Sequence, residues 1–216
     1  MSSKQGSTPS ISRSDETPPQ ALKGLLNPAE TEVQVHRTIR HRWSPRIFAD
    51  RRVSAETLRA LLEAARWAPS SYNEQPWRFV VATDRDPEAH RKLLKLLTEG
   101  NQEWAAGASV LMISFAHLAL QKTGKPNRLA EHDVGQAVAQ LTIEAVSRGL
   151  FVHQMGGIHI DPIIEAYDLP EEIIPMAAIA IGYPPGPDDL DEKEREKHLK
   201  ERSRKGVDEL ILSGAL

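Results

Sequence analysis

Residues 63–81 read EAARWAPSSYNEQPWRFVV, and the chain changes character twice within them. Leu58, Leu61, Leu62 and Ala65 recur at helical spacing behind Ser54, an N-cap residue with Glu56 in the first turn, which predicts a helix. That helix must stop by Ala68, because the residue before Pro69 is pushed out of the α region. Trp77, Phe79 and Val81 alternate with Arg78 and Val80, which predicts a strand covered on one face. Between them lies Pro69–Trp77, pinned by two prolines and rich in hydroxyl and amide groups. Ser70, Ser71, Asn73 and Gln75 donate and accept hydrogen bonds without carrying charge, which suits the edge of a polar heterocycle. In an ordinary helix-to-strand connection the same residues serve only turn geometry.

Downstream, helices and apolar runs alternate. Asp86-Pro87 is the cap and first-turn proline of a helix carrying Leu93, Leu94 and Leu97. Ala108–Phe115 is a short β-rich apolar run, predicted as a central strand. Residues 131–148 form the clearest helix, with Val134, Ala137, Val138, Leu141, Ala145 and Val146 inward and Gly149 at its end. Leu150–Met155 reads as a strand leading into Gly156-Gly157, and Asp161-Pro162 as the start of a helix with Ile163, Ile164 and Tyr167 inward. Ile174–Ile181 is the last predicted strand. The run from Asp188 to Lys205 is too charged for a core element and is either a solvated helix or an arm crossing a surface. This alternation implies a sheet covered by helices on both faces.

Composition sets the outer limits. The chain has 216 residues, 40% hydrophobic and 26% charged, which predicts one globular domain. Residues 1–20 are rich in serine and proline, with Met1 and Ile11 the only large apolar side chains, and cannot offset their ordering entropy. A disordered extension is therefore expected over 1–30 and one domain over 31–216. The absence of cysteine excludes disulfides, thiolate metal sites and cysteine nucleophiles. A net charge of −3 gives no global case for nucleic-acid or membrane binding, and no apolar run approaches the roughly 20 residues of a spanning helix. With no signal-like stretch at the start, a cytoplasmic location is expected.

Two further segments are unusual for pure scaffolding. Arg40–Arg52 (RHRWSPRIFADRR) sets five arginines and one histidine against a single Asp. Arg42, Ser44 and Arg46 recur every second residue, so an extended backbone points all three to one side. Guanidiniums and a hydroxyl converging in this way suit a phosphate; the bland alternative is a solvated basic strand. Met155-Gly156-Gly157 lets backbone amides approach a ligand closely, although most Gly-Gly pairs are only turns. Phosphate-loop, dinucleotide and serine-hydrolase motifs are missing. Glu131-His132-Asp133 is a poor metal site, since adjacent helical residues diverge, and His153 and His159 read as structural.

Together these segments resemble the FMN-dependent nitroreductase family. RWSPRIF at 42–48 is similar to that family's R-[RHY]-S-x-R-x-F signature, and 63–81 to its A-P-S-x-x-N-x-Q-P-W segment. The likeness continues through Asn101, the GQAVAQLTIEAVSRGL helix, Met155-Gly156-Gly157, Gly182-Tyr183-Pro184 and the basic ERSRK at 201–205, roughly residues 33–212 in all. It implies an α+β fold: a three-layer α/β/α sandwich, its central mixed sheet flanked by helices, in an intertwined homodimer with flavins at the interface.

Carried over residue by residue, the resemblance implies FMN as cofactor within a binding set that includes Trp43 and Met155. Arg42 and Ser44 would hold its 5′-phosphate, joined by Arg202 and Arg204. Arg46 would lie near the pyrimidine edge of the ring. Pro69, Ser70, Ser71 and Asn73 would line the ring from the other subunit. Asn101 would bond the ribityl chain or ring edge, and the N–H groups of Gly156 and Gly157 would reach N5 and O4.

NADPH or NADH would supply hydride in ping-pong fashion to an electron-poor small molecule: a nitro-aromatic, a quinone or an activated alkene. No side chain need act as acid or base. Where many members carry a second cation, three residues after the asparagine, this chain has Trp104. The rivals are another flavin reaction on the same fold (dehalogenation, dehydrogenation or flavin fragmentation), a non-catalytic flavin-binding protein, and a nucleic-acid module using Arg40–Arg52.

Overall fold

Strand β2 (Val110–His117) is the spine of the molecule, with every residue but its last buried. In the computed structural model, which describes residues 23–214, it is flanked by β1 (Trp77–Thr83) and β4 (Ile173–Gly182), and β3 (Phe151–Met155) closes the far edge in the order β1-β2-β4-β3. Strand parity divides the core into two clusters. Leu111, Ile113, Phe115, Phe151, Met155, Ala178 and Ala180 face one side, with Leu93, Leu97, Ala105 and Ile163 from α3 (Pro87–Leu94), α4 (Glu99–Ala105), α6 (Ile160–Tyr167) and their connections. Val110, Met112, Val152, Ile179 and Ile181 face the other, under Leu61 and Ala65 of α2 (Ala55–Arg66) and Val134, Ala137 and Leu141 of α5 (Ala130–Ser147). This is the three-layer α/β/α sandwich. Each large apolar side chain so buried contributes about 1.5–3 kcal/mol.

Local signals place the helix ends. Ser54 accepts from Thr57 N and opens α2, which stops at Arg66, and Asp86 caps α3 with Pro87 in its first turn. The Asp188–Lys205 run is both things expected of it: α7 (Glu192–His198), closed by an Asp191–Glu194 capping box, and then an extended arm. A short helix, α1 (Arg37–His41), precedes the arginine-rich strip.

Three expectations need correction. The sheet is not mixed: its three pairings among the described residues are all antiparallel. The helical crossover through α5 does run β2 and β3 in the same direction, but β4 inserts between them and pairs with both. Strand β1 is covered on both faces, since Phe79 and Val81 join one cluster while Val80 and Ala82 join the other. In α6 only Ile163 is fully buried and Ile164 is 36% exposed, because so short a helix turns just one residue squarely to the sheet.

Most of the 1–30 extension, residues 1–22, lies outside the described residues. Residues 23–30 contain neither helix nor strand, but Leu25 N donates to Pro185 O and Ala29 N to Arg40 O, both at 2.8 Å. No described helix is long and apolar enough to cross a membrane.

Candidate functional site

The strip after α1 is extended, and its burial alternates as the two-residue spacing requires. Trp43 and Pro45 are buried, Arg42 is half-buried, and Ser44 and Arg46 are exposed. Arg42 Nη1 donates to Ser44 Oγ at 3.3 Å. His153 Nδ1 donates to Pro45 O at 2.8 Å, which ties the strip to β3, and Ala49 N donates to Tyr183 O beyond the end of β4. Phe48 lies so close over Gly182 that a Cβ there would meet its ring at 2.8 Å, so glycine is required. The Trp43 side chain belongs to the core, packed edge-on against Phe151 and His198 at centroid distances of 5.7 and 4.4 Å. Met155 is likewise a core residue.

The arm after α7 returns to this strip. Arg202 donates to Asn27 O at 2.5 Å and to Arg42 O at 2.8 Å, so it clamps the strip against the N-terminal segment. Arg204 lies near enough to Arg42 and Arg202 to lower the pKa of both. Burial is the larger cause in each case, and Arg202 is brought down to about 10. Among the described residues none of these three guanidiniums pairs with a carboxylate within 4.0 Å. They line a concavity of about 610 Å³ shared with Lys205, Ile39 and the acidic Glu30 and Glu32. Arg42 and Arg202 are half-buried and Arg204 is exposed, so three like charges are held together without a carboxylate partner, an arrangement whose chemistry suits an anion.

A second concavity, of about 700 Å³, opens beside Ser44, Arg46, Gly100 and Trp104. The Arg46 guanidinium lies 6.0 Å from the Trp104 ring centroid, and Trp104 packs on His153 at 4.5 Å. Burial holds the His153 pKa below its usual range, with the Arg46 and Arg42 charges adding to the effect. The Trp104 Nε1 donor is buried without a partner among the described residues. Asn101 Nδ2 donates to Gly157 O at 3.1 Å, and Thr98 N to the same oxygen at 3.0 Å. A Cβ on Gly157 would sit 2.5 Å from Asn101 Nδ2 and 2.6 Å from Thr98 Oγ1, so a larger residue there would displace the side chains that dock the start of α4 on the end of β3. A Cβ on Gly156 would meet open space.

The Pro69–Pro76 loop stands apart. It enters β1, at the sheet edge opposite β3, three strand spacings or about 14 Å away. No hydrogen bond among the described residues joins it to Arg42–Arg46. Tyr72, Asn73 and Gln75 all have left-handed φ, at 54°, 56° and 49°. Such non-glycine conformations cost of order 1–3 kcal/mol each and persist only where neighbours enforce them. Here Asp133 Oδ2 accepts from Ser71 N at 2.9 Å, Gln121 bonds Glu74 twice, Arg78 donates to Gln75 O, and the turn closes on itself through Asn73 N to Ser70 O and Glu74 N to Ser71 O. Ser70 Oγ serves the turn by accepting from Gln75 N. The side chains of Ser71 and Asn73 make no hydrogen bond among the described residues, and Tyr72 is 88% exposed.

The structure thus gathers Arg42, Ser44, Arg46, Asn101, Gly156, Gly157, Arg202 and Arg204 along the β3 side, and holds Pro69, Ser70, Ser71 and Asn73 on the β1 side. The sequence profile described as Nitroreductase family matches residues 39–115, from α1 into β2. A solved oxidoreductase containing FMN is 34% identical, covers 86% of this chain and 94% of its own, and superposes with a TM-score of 0.78. The chain belongs to the nitroreductase family. An FMN-bound structure from Desulfovibrio desulfuricans is 28% identical, covering 86% of this chain and 99% of its own with a TM-score of 0.65. The FMN reductase (NAD(P)H) of Bacillus subtilis is 31% identical over 166 residues, which are 69% of this chain and 63% of that protein.

Two features of this family member were hidden in its sequence. One is the Arg46–Trp104–His153 stack. Its signals were parity, which puts His153 on the same face of β3 as Phe151 and Met155, and the three-residue step that sets Trp104 beside Asn101 on one face of α4. The other is Asp133, read with its neighbours as a poor metal site, which instead anchors the loop. Among the described residues no cluster is arranged to hold a metal ion.

Proposed function

We propose that this chain is a cytoplasmic, FMN-dependent NAD(P)H oxidoreductase. The observation behind it is the uncompensated Arg42–Arg202–Arg204 cluster beside Ser44. The fit is chemical: a phosphate dianion supplies the counter-charge that these groups lack, through charge-assisted hydrogen bonds of about 1.5–3 kcal/mol each. Arg42, Ser44 and Arg204 would hold the phosphate, and Arg202 would steady them through the Arg42 carbonyl. Arg46, backed by Trp104 and His153, would set a fixed positive charge beside the pyrimidine edge of the ring, where negative charge develops. The Asn101 amide and the Gly156 and Gly157 N–H groups would orient the ring along α4 and the end of β3. When bound, FMN would supply the two-electron redox chemistry that couples oxidation of NAD(P)H to reduction of an electron-poor acceptor.

The two motif clusters of one chain lie on opposite sheet edges, so a single copy would leave the ring open on one face. We infer a homodimer in which the Pro69–Asn73 loop of one copy covers the ring held by Arg42–Arg46 of its partner. A small-molecule acceptor would share that slot with the nicotinamide by turns. Steady-state kinetics with NADPH and a quinone or nitro-aromatic should then give parallel double-reciprocal lines. Intersecting lines would mean that both substrates are bound at once and would refute alternating occupancy.

A further inference from the structure

Asp133 is a carboxylate 2% exposed in the first turn of α5, where the unpaired N–H groups of the helix end favour negative charge. Its Oδ2 accepts from the backbone N–H of Ser71 at 2.9 Å. Its Oδ1 lies 3.1 Å from His132 Nδ1 and 3.3 Å from Gln136 Nε2. Ser71 is the residue at which the loop turns from extended Ser70 (φ −147°, ψ 153°) into the left-handed Tyr72 and Asn73. Within the loop, Asn73 N donates to Ser70 O at 3.0 Å, Glu74 N to Ser71 O at 3.1 Å, Gln75 N to Ser70 Oγ and Gln75 Nε2 to Asn73 O, which close the turn but do not tie it to the rest of the molecule. Among the described residues its outside anchors are Asp133 at the start, Gln121 at Glu74, Arg78 at Gln75 O and His117 at Pro76 O, so Asp133 alone reaches the stretch before the left-handed residues.

We propose that Asp133 is the positioning residue of this loop, fixing through the Ser71 N–H the left-handed backbone that aims Ser71 and Asn73 at the flavin ring. The proposal rests on the FMN reading above. Without Asp133 the Ser71 N–H has no buried acceptor, the strained residues relax to commoner backbone angles, and the two unbonded side chains turn away from the ring. The role needs an acceptor at that position rather than a charge, so asparagine should substitute for aspartate.

The test is FMN titration of the full-length protein by quenching of flavin fluorescence, with circular dichroism in the flavin bands as a second readout. Asp133→Ala should bind FMN about tenfold more weakly, the worth of one buried hydrogen bond, and should alter the induced dichroism. Asp133→Asn should stay within about threefold of wild type. Ser71→Pro removes the donor, and the extended Ser70 suits a following proline. It should bind about tenfold more weakly than Ser71→Ala, which keeps the N–H. If Asp133→Ala fails to fold, this second pair decides. Wild-type-like affinity and dichroism in Asp133→Ala, or equal affinity in Ser71→Pro and Ser71→Ala, would overturn the proposal. A wild-type protein that binds no FMN would instead overturn the functional reading, and the proposal with it.

Discussion

Replacing Arg42 and Arg204 together with alanine should weaken FMN binding by at least about a hundredfold, because two charge-assisted contacts of about 1.5–3 kcal/mol each are lost and about 1.4 kcal/mol is a factor of ten. The apo-protein should be no less stable. Arg42 binds the arm through its backbone carbonyl, which the substitution leaves intact. Removing two of three mutually repelling charges also relieves the electrostatic strain on Arg202. Weaker binding with undiminished stability is the signature of a ligand site. A structural cluster would show the reverse, with urea denaturation curves shifted and FMN titrations unchanged. The single variants should show smaller losses, and added salt should weaken wild-type binding more than that of the double variant.

Trp43→Ala should cost about 3–5 kcal/mol of folding stability, the range for deleting a large buried aromatic side chain. That is a large share of the 5–15 kcal/mol by which small domains are usually stable. Trp43 is 8% exposed and packs edge-on against Phe151 and His198, so its loss opens a void beneath the strip and loosens the docking of α7. Equilibrium urea denaturation measures this directly. Unchanged stability with lost FMN affinity would move Trp43 from the core into the binding site.

Features written locally are legible in the sequence. Ser54, Asp86 and Pro87 mark helix starts through bonds within one turn, and Pro69 ends α2 through contact with its own neighbour. The every-second-residue spacing of Arg42, Ser44 and Arg46 was enough to put them on one side, because the strip is extended. Strand direction was not legible. A helical crossover looks the same in sequence whether its two strands pair or a third inserts between them, as β4 does here. Asp133 could not be matched to Ser71 because the contact exists only once α5 packs beside the loop. The role of Arg202 was also hidden, since a basic motif does not distinguish a cation facing an anion from one facing carbonyls.

The most direct measurement is the visible spectrum of the pure protein, soaked in excess FMN and freed of unbound flavin, before and after anaerobic addition of NADPH or NADH. Yellow protein that bleaches with the nicotinamide and regains its colour when a quinone is added is the predicted result. Protein that emerges colourless, or yellow protein that neither nicotinamide can bleach, would contradict the account.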